Sequence, residues 1–400
     1  MKSASNSSSS PEAGSALKNH YIPQFIQKNF SENYRKERIL LVNLDKQVGG
    51  FSNIKSAFKF KGMYPPDVEK RINDALENKV SVLFKPREDG KRTLHSDRTV
   101  VLRRSDLHMI RKFVIIQMLR TPVGRNMLKT ILAKDQNRLF KLASDDRADG
   151  ETEDGFWCRI MSTVLDVEWK DLGNTDIGFL NMLVNNINCL QPVIIRTREY
   201  LPLPDTGLVF DSIHITPRYD PGMDVDVRNT FSKDVGADEA KDFVTSGGSY
   251  LNFIGLPFDS HHLLILADDY WRVRRWMTDI GMPVREILHS EFEDYLRGAD
   301  IVYVDHRVHQ VVIHNHDQEV EHDDNDLFII QTLTLPEGLE MRLRQMCIDS
   351  CMEYFGFTTV DGISDLVAVK GGTVDGRSLT FIPNTDFSQP YEDNLRKKSG

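Results

Sequence analysis

Two stretches hold the side chains best suited to chemistry. Lys18 to Phe30 reads KNHYIPQFIQKNF, and Phe113 to Arg125 reads FVIIQMLRTPVGR. They supply His20, Gln24, Gln117, Arg120 and Arg125 among dense apolar residues. A histidine titrates near neutral pH and can serve as acid, base or ligand. An arginine presents a fork that matches phosphate oxygens. A glutamine orients a ligand through its carbonyl oxygen and its amide hydrogens. In a functional reading, His20 is the catalytic acid or base. Arg120 and Arg125 then hold an anion that Gln24 and Gln117 orient. In a plainer reading, His20 and Tyr21 cap and pack a helix, while Gln117 and Arg120 lock helix to helix. The residues by themselves leave both readings open.

The elements that must position these groups follow from spacing. Pro23 suits a first helical turn, where its missing N–H has no partner to lose. Ile22, Phe25, Ile26 and Phe30 then follow helical spacing, so a short helix is expected over 23–30. Leu107 to Leu119 is apolar on nearly every side, which predicts a central, buried helix. Gln117 is the only polar residue between Phe113 and Leu119, and a buried amide must find partners. A buried guanidinium needs an anion, from the protein or from a ligand. Pro122 disfavours helix at Thr121 and predicts an end or kink there. Arg125 then leads into a second helix, Met127 to Leu142. Upstream, Pro65-Pro66-Asp67 starts a helix whose stripe is Val68, Ile72, Leu76, Val80 and Leu83. Glu69, Lys70, Asn73 and Glu77 lie off that stripe and read as a solvated face.

These stretches also resemble a known family. H-Y-I-P-Q-F-x-x-K-N-F, followed by Q-x-L-R-T-P-x-x-R, is similar to the domain-of-unknown-function family 4238. Its members open with His-Tyr-(Ile/Val)-Pro-(Gln/Arg)-Phe. The resemblance is specific over 19–30 and 117–125, fair over 38–84 and thin beyond about residue 190. It implies an intracellular protein of mixed helix and strand, and no established activity. It also implies an acid near Glu77, which joins the candidates as a structural residue or an acid. The family's Thr-(Ser/Thr)-Asp-Asn motif has its nearest match in Val244-Thr245-Ser246-Gly247-Gly248, which lacks the Asp.

Composition bounds the rest. Hydrophobic content of 40% with 21 Phe, 11 Tyr and 4 Trp suffices for a substantial core. Residues 1–16 read as a disordered, Ser-rich tail without the apolar centre of a secretory signal. Residues 17–372 read as a single interwoven domain with acidic loops at 144–155 and 317–326, and 373–400 as a loose tail. No apolar run is long enough to span a bilayer. Cys158, Cys189, Cys347 and Cys351 form no CxxC, which suggests reduced thiols and a cytoplasmic or nuclear setting. Residues 1–200 carry 33 Lys and Arg against 24 Asp and Glu, and residues 201–400 carry 17 against 35. The basic half could face a polyanion, or the two halves could attract each other.

The fold expected is α+β: a helical N-terminal portion with a buried central helix packed on a mixed or antiparallel sheet. Helices dominate to about residue 190, strands dominate 192–335, and a helix closes the fold over 339–355. Aromatic and Arg residues interleave from Tyr270 to Trp276, a pattern for stacking bases or for an amphipathic helix. His314-x-His316 offers two ligands but sits in an acidic, unanchored run, so no metal and no cofactor are expected. The sequence has neither G-x-S-x-G nor H-E-x-x-H. The functional expectation is a phosphate- or nucleic-acid-directed protein without membrane contact, extending to a nuclease-like phosphodiester hydrolase. The alternative is a non-catalytic interaction or structural protein whose His/Gln/Arg cluster only holds the core.

Overall fold

The computed structural model describes residues 18–31, 37–44, 48–85, 94–96, 98–133, 146–188, 190–215, 248–268, 295–296, 301–305, 310–311, 323–351, 354–358 and 380–381. The chain opens with β1 (Lys18–His20), α1 (Gln24–Asn29), β2 (Arg38–Asn43), β3 (Val48–Asn53) and β4 (Lys59–Lys61). A near-continuous helix follows as α2 (Pro66–Ile72), a π-helical turn (Asn73–Glu77) and α3 (Asn78–Leu83). Then come β5 (Thr99–Arg103), α4 (Arg104–Arg120), α5 (Pro122–Ala133), α6 (Glu153–Asp166), α7 (Trp169–Leu172) and α8 (Gly178–Asn188). The strand-rich part holds β6 (Leu190–Arg196), β7 (Leu203–Pro204), β8 (Val209–Ile215), β9 (Gly248–Pro257), β10 (His262–Asp268), β11 (Ile301–Asp305), β12 (Gln310–Val311) and β13 (Leu327–Thr334). Last are α9 (Glu337–Asp349), β14 (Tyr354–Phe357) and β15 (Thr380–Phe381).

The fold is α+β. Its largest sheet runs β12-β11-β13-β6-β10-β9-β8, with β5 also paired to β13. It is mixed, because β13 pairs β6 in parallel while its other pairs are antiparallel. A second sheet runs β15-β3-β2-β14-β7, and β1 pairs β4 in a two-stranded sheet. The first helix-rich segment is thereby tied to the chain's far end: Leu40 and Val42 of β2 pair Phe357 and Phe355 of β14.

Helix α4 lies at the centre. Ile110, Phe113, Ile115 and Ile116 are fully buried, in one cluster with Ile194, Leu264 and Ile330 of the large sheet. Burying a side chain of this size contributes about 1.5–3 kcal/mol. Asp106 starts the helix by accepting the Arg103 N–H at 3.0 Å. Arg111, also buried, spends its guanidinium on the carbonyl oxygens of Asn188 and Leu190 at 3.0 and 2.8 Å. Asn188 is the last residue of α8, where a cation is favoured, and Leu190 opens β6.

Several local expectations change. Gly49-Gly50, a dipeptide that reads as a turn in the sequence, sits inside β3, opposite Val42 and Leu41. The closing helix ends at Asp349 rather than Phe355. In Phe355-Gly356-Phe357 the period is two, so both aromatic rings bury on Leu40 and Val42 as a strand. The helix expected from Met127 begins at Pro122 and is described as far as Ala133. The acidic stretch 144–155 is anchored where it is described. Asp146 accepts the Phe179 N–H at 2.7 Å, Glu151 pairs Arg159 at 3.0 Å, and Thr152 caps α6. Asp326, expected in an exposed acidic loop, is fully buried and pairs Arg104 at 3.5 Å. Residues 216–247, 269–294, 306–309 and 312–322 lie outside the described residues, and with them Tyr270 to Trp276, His314 and His316.

One glycine decides how α5 leaves α4. Thr121 is extended, and its hydroxyl accepts the Gly124 N–H at 3.1 Å. A Cβ at Gly124 would overlap the Met118 carbonyl oxygen, a backbone atom that cannot yield alone. Gly124→Ala is therefore expected to destabilise the chain by about 1–3 kcal/mol through overpacking, despite alanine's better helix propensity. Urea unfolding of the two proteins side by side measures it; equal midpoints would refute this account of the junction.

Candidate functional site

His20 ends β1 and Gln24 opens α1, with the extended Pro23 between them. Ile22, Ile26 and Phe30 are buried and fix the helix on the core. The His20 Nε2–H donates to the Ile54 carbonyl oxygen at 3.2 Å. That leaves Nδ1 as acceptor, and the Gln24 amide donates to it at 3.4 Å. Burial, then the charges of Lys59 and Arg120, lower the His20 pKa to about 4, so the ring is neutral at pH 7.

The facing wall is the π-helical turn. The Asn78 N–H reaches the Asn73 carbonyl, five residues back. The extra residue lets two consecutive side chains bury in different places, Leu76 in the core and Glu77 against Arg120. Between the walls lies a cleft of about 260 Å³, lined by His20, Gln24, Phe25, Glu69, Asn73, Glu77, Asn78, Ser81, Lys85 and Arg120, with Pro23.

Arg120 is 1% exposed. Its Nη1 donates to Glu77 Oε1, and its Nη2 to the His20 carbonyl oxygen and, at 3.5 Å, to the Tyr64 hydroxyl. Burial opposes its charge, yet Glu77, Tyr64 and Glu69 together hold its pKa above the ordinary arginine value. Burial likewise raises Tyr64, which stays a neutral phenol. The anion that Arg120 requires is thus internal.

The other candidates fall on either side of this frame. Gln117 is fully buried and does not line the cleft. Its amide donates to the carbonyls of Tyr21 at 2.9 Å and Thr206 at 3.3 Å. Gly207, with φ of 69°, permits that approach, since a Cβ there would lie 2.5 Å from the amide nitrogen. Arg125, expected to share an anion with Arg120, is elsewhere. It grips Asp154 at 3.1 and 2.6 Å and lies over the Trp157 ring, because the extended Thr121 directs α5 onto α6. So His20 and Gln24 meet Glu77 and Arg120 at the cleft, Gln117 acts behind it, and Arg125 is apart. Glu69 and Asn73 read as a solvated face in the sequence but line the cleft. Asn78, Ser81 and Lys85 carried no signal, since nothing in a regular helical stripe announces a π turn.

Two further groupings stand out among the described residues. A second cleft of about 380 Å³ gathers Lys79, Lys112, Lys170, His108 and Trp169 with Glu168 and Asp324. His108 stacks on Trp169 at 5.9 Å, and burial together with Lys79 lowers the Lys112 pKa despite Glu168 and Asp166. His95, Asp259 and His262 form a group with the spacing to hold a metal ion. No helix among the described residues is long and apolar enough to cross a membrane.

Residues 18–203 match the model of a family described as a protein of unknown function (DUF4238). The match spans both stretches on which the site is built, His20 to Phe30 and Gln117 to Arg125. No curated protein and no solved structure matches the chain.

Proposed function

Proceeding from a family without a described activity, we propose that this chain is a binding protein whose cleft beside His20 takes a small, polar, uncharged ligand. One observation carries the reading: Arg120 is already committed to Glu77 and to the His20 carbonyl. The cleft is therefore framed by an internal ion pair and lined by amides, a hydroxyl and a neutral imidazole, groups that both donate and accept. Such pre-formed polar walls lower the ordering cost of binding. The nuclease-like reading finds less support here. Both His20 nitrogens are engaged, its basicity is depressed, and Glu69 and Glu77 offset Lys85 and Arg120, which leaves no net positive charge to hold a phosphodiester.

A phosphate-bearing ligand is better supported at the second cleft. Three lysines there outnumber two acids, and Trp169 with His108 offers a stacking surface. Cys347 and Cys351, both buried thiols four residues apart, support a cytoplasmic or nuclear setting.

Adenosine and AMP separate these readings. Calorimetry on the full chain should show adenosine binding that Ser81→Trp, which fills the first cleft, abolishes, with AMP no tighter. AMP binding at least tenfold tighter than adenosine, lost in Lys79→Glu but kept in Ser81→Trp, would move the function to the second cleft. Release of phosphate or cleavage of a short RNA, abolished by His20→Gln, would restore the hydrolase reading instead.

A further inference from the structure

We infer that His95, Asp259 and His262 form a site for one divalent transition-metal ion, with zinc as the natural occupant. Distant segments build it: Leu94 to Ser96 lies before β5, and Phe258 to His261 turns β9 into β10. Asp259 Oδ2 lies 2.5 Å from His95 Nδ1 and 3.0 Å from His262 Nδ1. One ligand atom from each residue lies within 4.8 Å of the other two. Two imidazoles and a carboxylate are a borderline donor set that suits zinc. Tetrahedral bonds of about 2.0–2.1 Å put neighbouring ligands about 3.3 Å apart, so small side-chain rotations open the group to an ion.

The outer atoms of His95 and Asp259 are held as metal ligands are held. The His95 Nε2–H donates to the Phe84 carbonyl oxygen at 2.9 Å. This leaves the Nδ1 lone pair facing a carboxylate oxygen, a repulsive contact unless a positive charge joins them. A metal ion supplies that charge at His95, and His262 Nδ1, on the same carboxylate, completes the ligand set. Asp259 Oδ1 is fixed by the N–H groups of His261 and His262 at 2.6 and 2.7 Å, which aims Oδ2 at the two rings. Phe258 stacks on His262 and meets His95 edge-on, giving the site an apolar wall. The three side chains are 11, 13 and 11% exposed, so an ion enters as the imidazoles rotate apart.

The site also touches the frame of the cleft. Asn29, at the end of α1, donates to the carbonyls of Phe84 and Phe258 at 2.9 and 2.8 Å. An ion at His95 would stiffen the backbone that anchors the helix bearing Gln24. The inference does not depend on what the cleft binds.

The test uses the full chain, stripped with a chelator and titrated with cobalt(II), then with zinc. The expected result is one cobalt per chain, with the visible absorption of a four-coordinate nitrogen and oxygen site, displaced by zinc. His95→Gln, His262→Gln and Asp259→Asn should each weaken binding at least tenfold. His20→Gln and the pair His314→Ala with His316→Ala should leave it unchanged. Should the triad variants lose their fold by circular dichroism, the wild type and the His314/His316 variant still decide. Lack of stoichiometric cobalt in the wild type would overturn the site and leave a hydrogen-bonded His–Asp–His lock. Loss of binding in the His314/His316 variant, or its survival in a folded His95→Gln, would overturn it as well.

Discussion

Arg120→Ala is expected to destabilise the chain by about 3–5 kcal/mol, among the largest effects of any single substitution here. The loss does not come from the worth of the ion pair as such. Glu77 is held in a site where its side chain is 10% exposed, and without Arg120 it keeps a charge that water can barely reach. The His20 carbonyl and the Tyr64 hydroxyl lose a donor in the same step. Glu77→Leu alone should cost a similar amount, because it strands the guanidinium instead. Arg120→Met combined with Glu77→Leu should cost far less than the two together, since replacing both charges removes both desolvation penalties. Urea unfolding at pH 7 of the four proteins completes the cycle. A cost under about 1 kcal/mol for Arg120→Ala would mean that the pair does not frame the cleft.

The second large effect is a dependence on pH that belongs to His20. Its folded pKa of about 4 lies below the ordinary value of 6.5, chiefly through burial. Above pH 6.5 the ring is neutral in both states and contributes no slope. Between pH 6.5 and 4 the unfolded chain takes up a proton that the folded chain refuses, so stability falls as pH falls. Below pH 4 both states are protonated and the penalty is constant. The full loss is about 3 kcal/mol, at about 1.4 kcal/mol per unit. His20→Asn removes the titrating group, so its stability should fall less between pH 7 and 4.5, by about 2.5 kcal/mol. The imidazole carbon-bound proton, followed by NMR, should titrate with a midpoint near pH 4. A midpoint near 6.5 would show the ring to be solvated and the cleft wall more open than described.

Much of the local architecture is written in the sequence by its period. Leu107 to Leu119 is apolar on nearly every side and becomes the buried α4; Pro122 stops it where an extended Thr121 is required. The apolar runs Tyr250 to Ile254 and His262 to Leu266 become paired β9 and β10. Such patterns are local, and side chains three, four or two residues apart report them directly. The need of Arg120 for an anion was legible too, since no buried guanidinium stands alone. Which anion it takes was not. Glu77 reaches it only because a π turn inserts one residue and swings the carboxylate away from the solvated face. Arg125 shares a motif with Arg120 but meets Asp154, since one extended residue changes the direction of everything after it. His95, Asp259 and His262 share no local pattern at all. Their meeting is set by the register of β9 against β10 and the packing of Phe84 on Phe258, long-range pairings that decide which distant side chains share one space.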